Sequence, residues 1–303
     1  MLPTAALSSS RHELVSGVPD QSEVSAGSNR TRPPSLVEDS PAETLLEDAL
    51  ARAVVYRALS IGFQMPTTER LRQMGADARF GIVAGALERL DRGCRPGPFG
   101  FGSESGLTAA AVRLTSFQMP DLESLAATFV RLFGHTTRGL VCAAETEYGA
   151  DNTFHQPQQL ADISGYYLAF GLRPVLGSDA RTDHVACECE FMDFVNRKEA
   201  LFLATGSDDE TLETTRNAAR TFLRDHLGRF GRAFATRLMS EDPDGLFGVL
   251  GRVLLELVDD ECRRLGLATG PIDLAVRPEV PDEAPMACGT GSQSELIQIQ
   301  RRP

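Results

Sequence analysis

The chain has no tryptophan and a single lysine, Lys198, among 303 residues. Nearly all of its positive charge is therefore arginine, and a Walker-type phosphate loop is excluded because no glycine-rich turn precedes Lys198. No stretch approaches the roughly 18 uninterrupted apolar residues that a membrane helix needs, so no membrane insertion is expected. Met1–Gly17 lacks the apolar core of a secretory signal. No Cys-x-x-Cys pair occurs. The six cysteines (Cys94, Cys142, Cys187, Cys189, Cys262 and Cys288) are scattered, unlike the dense framework of a small disulfide-stapled domain. These absences predict a cytoplasmic protein with reduced thiols. Basic charge is also in deficit: Lys+Arg is 30 against Asp+Glu 42, a net charge of −12. Binding to nucleic acid needs clustered cations, so no nucleic-acid partner is expected, and a basic partner suits the chain better.

What is present is an ordinary apolar share, 42%, enough to bury a core. Residues 1–39 are rich in Ser, Pro, Gly and charge without a period and read as a disordered tail. At Ser40-Pro41-Ala42-Glu43 a capping box with proline in the first helical position predicts a helix start. Leu45, Leu46, Ala49, Leu50, Ala53, Val54 and Leu59 continue at helical spacing to about Gly62. Further helices are predicted near 67–74, 76–91, 107–116, 121–133, 158–172, 182–205, 229–239 and 243–265, with another opened by a capping box at Ser207–Glu210. Residues 93–106 and 134–157 read as long irregular segments. Gly266 suits a helix stop, and 267–303 reads as a flexible acidic, Gly/Pro-containing tail. No run alternates apolar and polar residues as a half-buried strand would. The expectation is all-α: a single globular domain of about nine helices over 40–266, with disordered tails at both ends.

Two polar regions stand out. The first runs from His135 to His155 and holds Arg138, Cys142, Glu145, Glu147, Tyr148 and Asp151. His135, Glu145, Glu147 and His155 have metal-ligand chemistry, but no pair has tight helical spacing, and a loop tied down by polar contacts is the simpler account. The second is Thr182-Asp183-His184 at the start of a long helix, where Thr182 or Asp183 can cap and the helix dipole lowers the pKa of His184. His184, Glu188, Phe191 and Val195 share one face of that helix, whereas Cys187 and Cys189 point apart. No Ser or Cys nucleophile is placed beside His184, so no catalytic set emerges. A helical metal- or nucleotide-binding enzyme using the 135–155 loop with Asp183 and His184 is the alternative to a binding protein.

Four segments carry a resemblance: Phe129-Val-Arg-Leu-Phe133-Gly134, Glu145-Thr-Glu-Tyr148-Gly149, Leu160 through Tyr166, Tyr167 and Phe170 to Leu172, and Asp183-His184-Val-Ala-Cys-Glu188-Cys-Glu190-Phe191-Met192. Their order and spacing resemble the TorD/DmsD/NarJ family of chaperones dedicated to molybdenum enzymes of the dimethyl sulfoxide reductase type. The Glu-Thr-Glu-Tyr-Gly form is most similar to delta subunits encoded with periplasmic dimethylsulfide, ethylbenzene, selenate or chlorate oxidoreductases. The family often has proline two residues before its Asp-His element, where this chain has Arg181.

The resemblance implies an all-α fold and no catalysis. It implies binding to the apo form of a molybdoenzyme catalytic subunit, including its twin-arginine leader peptide, and delay of export until the molybdenum cofactor is inserted. It implies no resident cofactor, any contact with molybdopterin guanine dinucleotide or GTP being transient. Asp183 and His184 match the family's leader-binding element, and Glu188, Tyr148, Glu145, Glu147, Tyr167 and Phe170 lie in the matching segments. Acidic groups beside aromatic ones would suit a leader that is basic at one end and apolar beyond. Replacing Asp183 and His184 by alanine is expected to weaken leader binding without unfolding the protein.

Overall fold

In a computed structural model of the chain, the residues described are 40–76, 80–93, 106–134, 139–149, 156–173 and 181–277. The expected tails 1–39 and 278–303, most of the glycine-rich loop after α3, and His135, Arg138, Asp151, His155, Cys94 and Cys288 lie outside them. The described residues form ten α-helices: α1 (Pro41–Gly62), α2 (Thr68–Gln73), α3 (Gly81–Gly93), α4 (Gly106–Ser116), α5 (Leu122–Phe133), α6 (Gln156–Ala169), α7 (Val185–Thr205), α8 (Asp209–Asp225), α9 (Leu227–Glu241) and α10 (Leu246–Leu265). One 3-10 turn, Glu145–Glu147, stands between α5 and α6. No strand occurs among the described residues, which hold two isolated bridges, Ala144 with His184 and Tyr148 with Val276. The all-α expectation is met.

The capping box at Ser40 forms as the residue types require: Ser40 Oγ accepts from the Glu43 amide at 3.2 Å, and the Glu43 carboxylate accepts from the Ser40 amide at 2.8 Å. α1 packs along α7, with α3 and α10 also against it. Both long helices are buried on more than one side, α1 through Ala49, Ala51, Ala53, Val55, Tyr56 and Leu59 and α7 through Val185, Cys189, Phe191, Met192 and Val195. The α1 register differs from the apolar spacing: Leu45 and Leu50 are 47% and 45% exposed, while the alanines Ala49, Ala51, Ala53 and Ala58 are buried. Alanine allows close helix approach, and a helix flanked on several sides has no single apolar stripe.

Two helix boundaries depart from expectation. α3 starts at Gly81, after Phe80, which holds a positive φ of 56°. α8 is capped by Asp208, which accepts from the Thr211 amide at 2.8 Å, and not by Ser207. The residue beyond α10 behaves as expected, Gly266 taking φ 63° to end it. After it the described chain continues to Arg277 along the body of the protein. Gly270 donates to the Gly228 carbonyl, Gly149 to Ala275, and Arg277 to Glu147 at 2.7 Å. Residues 267–277 are thus packed segment where a flexible tail was expected, because backbone groups of the irregular 147–149 stretch need partners that helices cannot supply. Among the described residues no helix is long and apolar enough to cross a membrane.

Candidate functional site

The two regions singled out by their polarity meet in space. Residues 143–145 cross the start of α7 and lead into the 3-10 turn Glu145–Glu147. Glu145 donates its amide to the Asp183 carbonyl at 2.9 Å, and Val185 to Ala143 at 2.8 Å. This antiparallel contact brings the Asp-His element beside the Glu-Thr-Glu turn, 37 residues away in sequence.

Asp183 is fully buried and its side chain does not cap α7. Its carboxylate accepts from the Thr146 amide (3.1 Å), the Thr146 hydroxyl (2.7 Å) and both Nε and Nη2 of Arg181 (2.9 Å each). The cap is His184, whose Nδ1 accepts from the Ala186 amide at 3.1 Å. Asp183 is relieved of that role because the bridge to residues 143–145 turns its side chain inward. Burial alone would raise the pKa of Asp183, but the hydrogen bonds from Arg181 and Thr146 outweigh it and hold the carboxyl below its ordinary value. The His184 imidazole is pushed down to about 4, first by burial and then by the Arg181 charge, with Asp183 opposing. The direction expected from the helix dipole holds, but burial is the larger cause.

Arg181 stands where the resemblance would often place proline. Besides Asp183 it donates to Glu147 (3.2 Å) and to the Thr146 hydroxyl (2.7 Å). Glu145 lies on the other side of the turn. It is bound by Arg229 through Nε (3.1 Å) and Nη2 (2.9 Å) and lies 3.1 Å from Nδ1 of His226. Nε2 of His226 is 3.4 Å from Asp162 on α6. Neither polarity nor the quoted segments point to Thr146, His226 and Arg229 as partners of these acids. The departure at Arg181 was visible in the sequence, but nothing local links α9 to residue 145.

Glu188, one turn into α7, is fully buried and meets no N–H donor. Burial first, and the neighbouring Glu145 and Asp183 charges next, drive its pKa well above the ordinary value. Its neutral form is thereby favoured beside Glu145. His184, on the same helix face, does not reach Glu188 because it turns back to cap its own helix.

Aromatic rings back the cluster. Tyr167 donates to the Thr182 carbonyl at 2.9 Å and Tyr148 to the Cys142 carbonyl at 2.7 Å. Burial raises both phenol pKa values, so neither ionises. Tyr166 and Tyr167 from α6, and Phe170 just beyond it, pack on Phe191 at 6.1, 5.4 and 5.6 Å between centroids, and Phe222 meets Phe191 at 4.5 Å. Phe170 is half-buried and lies 5.0 Å beneath the ammonium of Lys198. On the other side of residues 142–148 a cavity of about 550 Å³ is lined by Leu140, Cys142, Tyr148, Arg237, Ile272 and Val276. Cys142, Cys187, Cys189 and Cys262 are free thiols.

Of the expected site residues, Glu145, Glu147, Tyr148, Tyr167, Asp183 and Glu188 are interior, and His184 and Phe170 are half-buried. The four acids do not form an open acidic surface. As metal ligands, Glu145 and Glu147 are already held by arginine, and among the described residues no group of three His, Cys, Asp or Glu side chains is poised for a metal ion.

Compared with known families, residues 103–236 match the nitrate reductase delta subunit family. The family lies within the NarJ/TorD-like group, as the quoted segments implied, and its members are molybdoenzyme maturation chaperones. The delta-subunit match takes in every residue of the acid cluster, from Glu145 to Arg229, and leaves out α1–α3, α10 and the 267–277 segment. Comparison with curated proteins and with solved structures finds no significant match.

Proposed function

We propose that this chain is a cytoplasmic maturation chaperone that holds the immature catalytic subunit of a molybdoenzyme and engages its twin-arginine leader. By staying bound until the molybdenum cofactor is in place, it delays export. It acts by binding and carries out no chemistry of its own. The observation that supports this most is the delta-subunit match, which encloses the whole cluster around Asp183. The partner reading follows from charge: a chain of net charge −12 concentrates four carboxyls behind an aromatic wall, which suits a basic, then apolar, segment. His184 and Phe170 are the accessible contacts, and the buried acids supply the field.

Affinity capture with the full-length tagged chain from its native cell tests the partner. An apo-molybdoenzyme catalytic subunit is the expected companion, and its loss when the leader is deleted assigns the leader. Recovery of the chain without any such subunit would remove this reading.

A further inference from the structure

The acid cluster is short of cations and layered. Glu145, Glu147, Asp183 and Glu188 converge on two guanidiniums, Arg181 and Arg229. Three of the carboxyls have arginine partners. Glu188, with 0% of its surface exposed, meets no N–H donor at either oxygen. The carboxylates held by arginine lie deep, with side chains 0–7% exposed. The arginines form the outer layer, Arg181 at 31% and Arg229 at 28%. Both bind as forks, through Nε and Nη2 of one guanidinium. Carboxylates placed for forked guanidiniums favour guanidinium over ammonium, which offers no planar pair of donors.

We infer that this cluster is a guanidinium-exchange site. In the free chain Arg181 and Arg229 fill it, and two neighbouring arginines of a client segment displace them. The inference rests on the leader-binding reading above and deepens it, by assigning the contacts and the internal competitor. Exchange trades like for like: charge-assisted hydrogen bonds from the chain's own arginines give way to equivalent ones from the client, so the buried acids are never left unpaired. The displaced arginines turn to water, where they already present about a third of their surface. Affinity is then set by how firmly the internal arginines hold, since a self-filled site is competent for only a fraction of the time. Removing one of them strengthens binding, the opposite of what loss of a contact residue would do.

The test is calorimetric titration of the full-length chain with a synthetic leader-type peptide carrying Arg-Arg, and with its Lys-Lys counterpart. Arg181→Gln is expected to bind the Arg-Arg peptide about tenfold more tightly than the unsubstituted chain, with no gain for Lys-Lys. Because R181Q leaves two buried acids without their partner and can unfold, a second measurement uses the unsubstituted protein labelled with ¹⁵N-arginine. Saturation with the Arg-Arg peptide is expected to shift the Nε–H signals of Arg181 and Arg229 to free, solvent-exchanging positions. If the peptide binds while those signals stay unmoved, or if folded R181Q binds it no more tightly, the exchange is wrong and leader binding stands. If the peptide binds neither protein, leader binding at this cluster falls, and the exchange with it.

Discussion

Asp183 shows how a charged group is kept away from water. It accepts four hydrogen bonds, two of them from one guanidinium, and is completely buried. Removing the carboxylate leaves the buried Thr146 amide without its acceptor, at a cost of about 1–3 kcal/mol, while Arg181 keeps Glu147 and its contact with water. Asp183→Ala is therefore expected to lose that much in urea unfolding. Such a loss would run against the expectation that the position can be replaced without harm to the fold, and any loss of leader binding in that variant must be read against its stability. His184 has a separate signature. Its pKa falls from 6.5 to about 4 on folding, so the folded state favours the neutral ring. The stability this contributes is present above pH 6.5 and is lost as pH drops toward 4. His184→Asn keeps an N-cap acceptor without a titrating ring. Thermal melts from pH 7 to 4 should fall less steeply for this variant, and an identical pH profile would show that His184 does not titrate in that range.

At the scale of elements, short-range signals were legible and long-range ones were not. The cap at Ser40, the stop at Gly266 and the burial of Phe191 and Val195 on α7 follow from residue type and the 3.6 period. The α8 cap was misassigned because Ser207 and Asp208 are both good N-caps and both precede an acidic residue at near-correct spacing. The decision belongs to Gly206, which ends α7 with φ 65°, and to the one-residue offset it imposes on the chain. Asp208→Ala should lower the thermal midpoint, and Ser207→Ala should leave it unchanged. Arg52 shows the other limit. It reaches from α1 to Asn196 (2.8 Å) and Glu199 (3.4 Å) on α7 and lies 3.9 Å from Glu261 on α10. A lone arginine on a helix gives no sign of partners more than a hundred residues away.

At the scale of the whole molecule, the packed segment after α10 matters most. Gly149 and Glu147 are bonded to Ala275 and Arg277, so the chain beyond the last helix closes the outer edge of the segment that carries Glu145. A chain ending at Gly266 loses those bonds, and at about 1–3 kcal/mol for each buried polar group left unpaired it should be destabilised by several kcal/mol. A chain ending at Arg277 retains them and should melt near the full-length value. Equal midpoints for both truncations would show the segment to be dispensable. The sequence by itself determined the helical class, most helix ends, the absence of a phosphate loop and the segments resembling the chaperone family, because each rests on spacing within a few turns of chain. That the acids are interior, that Arg181, His226 and Arg229 meet three of them, and that Glu188 has no N–H donor follows only from the packed chain. Burial and charge pairing depend on which distant segments share one small volume, and a linear sequence does not encode that distance residue by residue.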